Sequence, residues 1–254
     1  TLVAAFPTLE AAQLFLALVT VLAWLMGIAW AYRSGGIRRA MAVGLALALS
    51  LVSIAVYRAE LSFELFAGTL ILISFSAYLL QWRWLGLAAA VLALFTRELA
   101  AVYVLVCVLL ALRDRRWGEL GAWAAALAAF AVFYAWHAAQ AMAQVGPLDH
   151  PAAVGWLQFG GLDFVLRTAA FNGVLLVLPY WVAAPVLVLG LTGLAGLPRA
   201  GLSVVLYLLV FLVFGRAENA YWGALYAPLV AFGLVWAAPV LVRLVQTARP
   251  RRSS

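Results

Sequence analysis

Long apolar runs alternate along this chain with polar loops, and two kinds of loop follow one another in turn. The first kind is rich in arginine and holds Arg33, Arg38, Arg39, Arg83, Arg113, Arg115, Arg116, Arg199, Arg243, Arg249, Arg251 and Arg252. The second kind holds most of the carboxylates, namely Glu60, Glu64, Glu98, Asp149, Asp163 and Glu218. Arginine and lysine are concentrated in the cytoplasmic loops of membrane proteins. The alternation therefore predicts a helical membrane protein with its arginine-rich loops inside and its acidic loops outside.

The apolar runs predict an all-α fold, a transmembrane bundle of about nine spans that forms one domain over residues 1–254. The expected spans cover 11–32, 40–57, 65–80, a broken pair within 85–112, 120–137, 171–191, 202–214 and 224–241. Residues 138–170 are expected to form an outer loop with short helices of its own, and residues 243–254 a cytoplasmic tail. A chain with nine spans and its C-terminus inside begins outside, so we expect a further span and its outer loop upstream of Thr1.

The apolar stretch 85–112 carries Thr96, Arg97 and Glu98 near its middle and admits two interpretations. As one helix it would be about 42 Å long. Both charges would then lie near the bilayer centre, where ionisable groups are costly, and the next arginine cluster would move outside. Two helices broken near Thr96 keep that cluster inside and place Arg97 and Glu98 in the outer leaflet. We favour the broken pair.

Composition agrees with a lipid environment, because 68% of the residues are hydrophobic and only 10% are charged. The net charge of +7 does not indicate a nucleic-acid partner, since the arginines flank the predicted spans instead of forming one soluble basic face. Cys107 is the only cysteine, which excludes an internal disulfide. The sequence contains none of the glycine-rich nucleotide-binding motifs and no serine hydrolase motif.

Arg97 and Glu98 are candidate functional residues, because ionisable groups at membrane depth usually have a use. Adjacent side chains on a helix diverge by about 100°, so we expect each of the two to need another partner. Arg97 could hold an anionic headgroup, since a guanidinium binds phosphate oxygens in a bidentate manner. A structural role is also available, in which Thr96 caps the next helix and Glu98 complements its dipole.

The loop 215–223 places several polar and aromatic residues between two glycines: Arg216, Glu218, Asn219, Tyr221 and Trp222. This set offers a sugar or phosphosugar an aromatic face, hydrogen-bonding groups and one cation. The same residues are equally typical of an aromatic belt at a tight turn.

In the outer loop 138–170, the adjacent Asp149 and His150 could supply an acid and a base, although a solvated loop explains them as well. Neither His137 nor His150 belongs to a metal-binding spacing. We expect no cofactor; the outer carboxylates could bind a divalent cation, but no spacing demands one.

Three segments together resemble a known family. The segment 94–101 (Leu-Phe-Thr-Arg-Glu-Leu-Ala-Ala), between a short helix and a long apolar span, resembles the arginine-acid step of polytopic membrane glycosyltransferases of the GT-C superfamily. The segments 64–68 (Glu-Leu-Phe-Ala-Gly) and 219–223 (Asn-Ala-Tyr-Trp-Gly), the latter followed by Pro228, are similar to the branch that forms bacterial cell-surface glycopolymers. The resemblance extends over about residues 58–240.

The resemblance implies transfer of a hexosyl or pentosyl group from a polyprenyl-phosphate donor to a cell-envelope glycan or lipid, at the outer face of the bacterial cytoplasmic membrane. It implies catalytic roles for Glu60, Glu64 and Glu98, and binding of the donor phosphate by Arg58, Arg97 and Arg216. Sugar or acceptor binding is assigned to Asp149, His150, Glu218, Asn219, Tyr221 and Trp222. The family carries its catalytic carboxylate in the first outer loop, so we expect that residue upstream of Thr1.

Two other functions use the same residues. A transporter or flippase of a lipid-linked sugar predicts polar side chains that continue to the cytoplasmic side, whereas the inner halves of the predicted spans are almost wholly apolar. A non-catalytic membrane scaffold predicts no cavity, with Arg97 and Glu98 held in local ion pairs. The apolar inner halves favour a site on the outer face alone.

Overall fold

The computed structural model of the chain describes residues 6–56, 63–146 and 158–248. Every regular element in these ranges is a helix, which confirms the all-α prediction. The α-helices, numbered in chain order, are α1 (Leu9–Val56), α2 (Phe63–Leu79), α3 (Arg83–Thr96), α4 (Ala101–Arg113), α5 (Trp117–Ala143), α6 (Gly161–Ala169), α7 (Gly173–Leu176), α8 (Tyr180–Gly193), α9 (Pro198–Val213) and α10 (Ala227–Ala248). Three 3₁₀ helices cover Glu98–Ala100, Leu194–Gly196 and Ala217–Leu225.

Helix α1 is interrupted at Gly35 and Gly36, where the backbone leaves helical geometry. Gly36 has a φ of 72°, a left-handed conformation that glycine adopts without steric cost. The two halves of α1 correspond to the predicted spans 11–32 and 40–57. The arginine-rich turn between them is closed by Arg39, whose Nη1 donates to the carbonyl oxygen of Ser34 over 2.8 Å.

Two of the described helices are long and apolar enough to cross a membrane, Leu9–Val52 and Trp117–Ala143. The bent pair Ala217–Leu225 and Ala227–Ala237 would make a third. The other apolar helices are shorter: Phe63–Leu79, Arg83–Thr96, Tyr180–Gly196 and Pro198–Val213. A full crossing of the hydrocarbon needs about 20 helical residues. The described helices are thus compatible with a membrane protein, but fewer of them have the length of a span than the nine predicted.

The prediction of one continuous span over 171–191 is wrong. The single turn α7 is capped by Asn172, whose side-chain oxygen accepts from the backbone N–H groups of Val174 and Leu175. Pro179 then precedes α8 at the N-cap position. Proline lacks an N–H group and disfavours helical geometry in the residue before it, so the chain breaks here.

The predicted outer loop 138–170 begins later than expected, because α5 continues to Ala143. His137 therefore lies within α5, where its ring stacks on Phe133 with centroids 6.0 Å apart. Helix α6 confirms that this region contains a short helix.

Helix α2 lies at the centre of the bundle, and its residues from Glu64 to Tyr78 are all buried. It packs against α1, α3, α10 and the 3₁₀ helix Ala217–Leu225. A helix that is apolar on every side is expected to be buried in this way. The approach to Ala217–Leu225 is close at Gly68, where a Cβ atom would collide with the backbone carbonyl of Ala224.

Small residues also bring α8 and α10 together. A Cβ atom on Gly193 would collide with the carbonyl oxygen of Gly233, and one on Gly233 would collide with that of Gly190. Close backbone approach through small residues is a common way for apolar helices to associate in membranes. These glycines therefore allow the backbones of α8 and α10 to pack closely together.

Candidate functional site

The chain breaks at Arg97, as predicted from the charged residues in the apolar stretch. Helix α3 ends at Thr96, and the Arg97 backbone is extended, with φ −149° and ψ 120°. One 3₁₀ turn follows over Glu98–Ala100 before α4 begins. The prediction that Thr96 caps the following helix is wrong: its hydroxyl donates to the Leu92 carbonyl at 2.7 Å, within its own helix.

Arg97 forms two ion pairs at this break. Its Nε lies 2.8 Å from Glu64 Oε1 and its Nη1 lies 3.0 Å from Glu98 Oε1. The expectation that Arg97 and Glu98 cannot pair is therefore wrong, because it assumed helical geometry at a residue that is extended. We call Glu64, Arg97 and Glu98 the outer triad, after the end of the bundle that the sequence predicts to face outwards. Local pairing of this kind is also what a structural role predicts.

The three members of the outer triad differ in their access to solvent. The Glu64 side chain is 8% exposed, that of Arg97 25%, and that of Glu98 45%. Glu64 is thus a buried carboxylate whose charge is balanced by Arg97. Glu98 is the more accessible of the two carboxylates.

The 3₁₀ helix Ala217–Leu225 carries the second group of predicted residues. Arg216 Nε lies 2.8 Å from Glu218 Oε1, and the Tyr221 hydroxyl lies 3.3 Å from Asn219 Oδ1. Trp222 is buried among the rings of α6 and α9 and has no partner for its Nε1 among the described residues. Tyr221, which is 38% exposed, is therefore the aromatic ring that this segment offers to a ligand.

The outer triad and the 3₁₀ helix Ala217–Leu225 lie at the same end of the bundle. Helix α2 contacts both elements, and Glu64 is in its first turn. The Tyr207 hydroxyl of α9 also donates to the Leu99 carbonyl at 3.0 Å, so α9 contacts the turn that follows Arg97. The fold therefore brings together two regions that are far apart in sequence. Of the other predicted site residues, Arg58, Glu60, Asp149 and His150 lie outside the described residues.

Asp163 of α6 forms a further polar contact beyond the predicted site. Its Oδ1 accepts from the Tyr180 hydroxyl at 2.8 Å, and its Oδ2 lies 2.6 Å from Arg167 Nε. The Tyr180 hydrogen bond, together with Arg167, holds the pKa of the Asp163 carboxyl below its ordinary value. This contact ties α6 to the start of α8.

We expect the Asp163 contact to persist as pH falls through the ordinary carboxyl range, and to be lost only as pH falls through the lowered pKa. Tyr180→Phe removes the larger cause of the shift, so the pKa of Asp163 should move back towards its ordinary value. A pH titration of selectively ¹³C-labelled aspartate by NMR measures this. Tyr134→Phe in α5 is the control, and an unchanged Asp163 pKa in Tyr180→Phe would contradict the assignment.

A buried polar network at the opposite end of the bundle was not predicted. Glu119 Oε1 accepts from the Tyr78 hydroxyl at 2.7 Å, and its Oε2 accepts from Arg116 Nη1 at 2.8 Å. Glu119 is only 7% exposed. The spacing of three residues between Arg116 and Glu119 was the available signal, since such pairs meet on a helix. Arg116 and Glu119 precede the predicted span 120–137, so the network does not test the expectation that the inner halves of the spans are almost wholly apolar.

Among residues 6–56, 63–146 and 158–248, no group of three or more His, Cys, Asp or Glu residues is placed to hold a metal ion. No protein-family model, curated protein or solved structure matches the chain. The arrangement of the residues is therefore the basis for a functional assignment.

Proposed function

We propose that the chain is a membrane glycosyltransferase that moves a sugar from a polyprenyl-phosphate donor to a cell-envelope glycan or lipid acceptor. On this proposal it is a multi-pass protein of the bacterial cytoplasmic membrane, with its C-terminus inside and its site facing outwards. The observation that carries the proposal is the position of Arg97, held between two carboxylates at a break between apolar helices.

Arg97 suits a donor phosphate because its guanidinium remains partly exposed. A guanidinium has five N–H donors, and the two ion pairs engage only Nε and Nη1. Nη2 takes part in neither ion pair and can donate to a phosphate oxygen. Glu64 fixes the position of the guanidinium, so the cation is already oriented before a donor binds.

The proposed reaction divides the work between the outer triad and the 3₁₀ helix Ala217–Leu225. The oxygen of the acceptor hydroxyl forms a bond to the anomeric carbon of the sugar, and Glu98 accepts the proton that this hydroxyl loses. The bond between that carbon and the phosphate oxygen breaks, and its electron pair stays on the phosphate. Arg97 and Arg216 stabilise this negative charge, while Tyr221 and Asn219 contact the sugar.

Arg97→Lys tests the proposal while it keeps the charge. We expect sugar transfer to fall by about 10- to 100-fold, because the lysine ammonium lacks the planar guanidinium that pairs with both carboxylates and still presents Nη2 to a phosphate oxygen. The measurement is incorporation of a radiolabelled hexose or pentose from its polyprenyl-phosphate carrier into envelope glycan and lipid, in membranes of cells that express the gene from its natural locus. Arg167→Lys, in an exposed ion pair of α6, is the matched control. Transfer at the unaltered rate in Arg97→Lys would contradict the proposal.

A transporter of the lipid-linked sugar is the second candidate, because buried polar groups continue along α2 beyond the outer triad. Ser74 accepts a hydrogen bond from the Tyr103 hydroxyl at 3.0 Å, and Tyr78 reaches Glu119. Vesicles with donor lipid but no acceptor separate the two functions. A transporter moves the labelled lipid from one leaflet of the vesicle membrane to the other, and Arg97→Lys abolishes this movement. A transferase releases no sugar from the lipid until an acceptor is added.

A further inference from the structure

A cavity of about 510 Å³ opens at the end of the bundle opposite the outer triad. It lies between the turn that joins α2 to α3, the end of α4 and the start of α9. The polar side chains that line it include Tyr78, Gln81, Arg83, Arg113, Arg116 and Arg199. We call it the basic cavity. By the distribution of arginines along the sequence, this end faces the cytoplasm.

The basic cavity has more cations than the neighbouring carboxylates can balance. Four arginines and Asp114 line it, which leaves a charge of +3. Asp114 pairs with Arg113 at 2.9 Å and with Arg116 at 3.2 Å, and Arg116 also pairs with the nearby Glu119. Counting Glu119 lowers the excess to +2. Within the described part of the chain, neither Arg83 nor Arg199 lies in an ion pair.

Arg199 places a buried positive charge at the wall of the basic cavity. It is only 9% exposed, at the start of α9, and its guanidinium carbon lies 3.6 Å from the centroid of the Tyr78 ring. Its Nη1 is buried and has no hydrogen-bond partner among the described residues. A buried charged donor without a partner is costly. Arg199 also lines the basic cavity, so an anion bound there would lie close to this buried charge.

The Tyr78 ring fixes the position of this guanidinium. Its hydroxyl is held by Glu119, and Arg116 holds the other oxygen of Glu119. The cation–π contact therefore rests on a ring that cannot easily rotate. Arg199 is oriented by its surroundings before any ligand is bound, as binding sites with a specific ligand require.

We propose that the basic cavity binds a phosphate group. Arginine is the residue best suited to bind a phosphate, because its guanidinium can donate hydrogen bonds to two phosphate oxygens at once. A phosphorylated headgroup fits a cavity of this size, and basic pockets between helices on the cytoplasmic side commonly bind anionic headgroups. The phosphate belongs either to an anionic phospholipid or to a free phosphate in the cytoplasm. This site is separate from the proposed transferase site and does not depend on it.

Direct binding to the 254-residue chain, purified in a non-ionic detergent, tests the proposal. The ligands are inorganic phosphate and a short-chain phosphatidylglycerol, with the matching phosphatidylcholine, a zwitterion of zero net charge, as the comparison. We expect binding of at least one phosphate ligand, with about tenfold weaker affinity in Arg83→Gln. Arg199→Gln should weaken phosphate binding as well. Arg199 is buried, so its substitution could impair folding, whereas Arg83 is exposed and Arg83→Gln tests the site without that risk. Arg115→Gln is the matched control, since Arg115 lies between Arg113 and Arg116 but does not line the cavity.

The pattern of binding identifies the source of the phosphate. Tight binding of phosphatidylglycerol without binding of inorganic phosphate assigns the cavity to a lipid headgroup, and binding of inorganic phosphate assigns it to a soluble ligand. The proposal is overturned if neither ligand binds, or if Arg83→Gln binds as tightly as Arg115→Gln. Loss of sugar transfer in Arg97→Lys has no bearing on these results, so the two proposals fail separately.

Discussion

Replacing Arg97 by leucine is expected to lower the free energy of unfolding by about 3 to 5 kcal/mol, because a buried carboxylate loses its ion pair with the guanidinium. That carboxylate is Glu64, whose side chain is 8% exposed. Glu98 remains accessible to solvent and is affected less. Unfolding of the purified protein by sodium dodecyl sulfate, followed by the loss of helical circular dichroism, measures the change.

A double substitution separates the ion pair from other effects of the leucine. Glu64→Leu together with Arg97→Leu removes both charges, so we expect it to recover most of the lost stability. Arg167→Leu is the control, since Arg167 and Asp163 are both more than half exposed. Such a pair contributes about 1 kcal/mol or less. Equal losses in Arg97→Leu and Arg167→Leu would show that Arg97 has no buried partner.

The break at Arg97 could be predicted from the sequence, whereas the contacts made there could not. Two charges inside an apolar stretch are costly in the middle of a membrane, and this cost alone places the break near Thr96. The pairing of Arg97 with Glu98 depends on the extended backbone at Arg97. The pairing with Glu64 depends on how α2 packs against that turn. Neither property can be read from local sequence patterns.

The contacts of the buried polar network around Glu119 could also be predicted only in part. Arg116 and Glu119 are three residues apart, so their contact could be predicted from helical geometry. The hydrogen bond between Tyr78 and Glu119 joins residues that are 41 apart in sequence, and Arg199, over the Tyr78 ring, belongs to a third helix. The charge pattern identified Arg199 only as a residue of a cytoplasmic loop. Its burial over the Tyr78 ring depends on where the start of α9 lies relative to the end of α2, which the sequence does not reveal.

One buried helix connects the two polar ends of the bundle. Helix α2 begins with Glu64 of the outer triad and ends near Tyr78, which lines the basic cavity. Its position is set on the outer side by its contact with the 3₁₀ helix Ala217–Leu225. A change that separates these two elements would therefore disturb the outer triad as well as the packing of the core.

Gly68→Ala makes that change with a single methyl group, and we expect it to lower the free energy of unfolding by about 3 kcal/mol. The new Cβ would collide with the backbone carbonyl of Ala224, which cannot move aside as a flexible side chain can. Gly121→Ala in α5 is the matched control, because nothing lies within 4 Å of the position of its Cβ. Alanine is a better helix former than glycine by about 1 kcal/mol, so this control should gain stability. The two substitutions have the same chemistry and opposite expected signs, and a gain in stability for Gly68→Ala would mean that α2 does not approach Ala224 as closely as described.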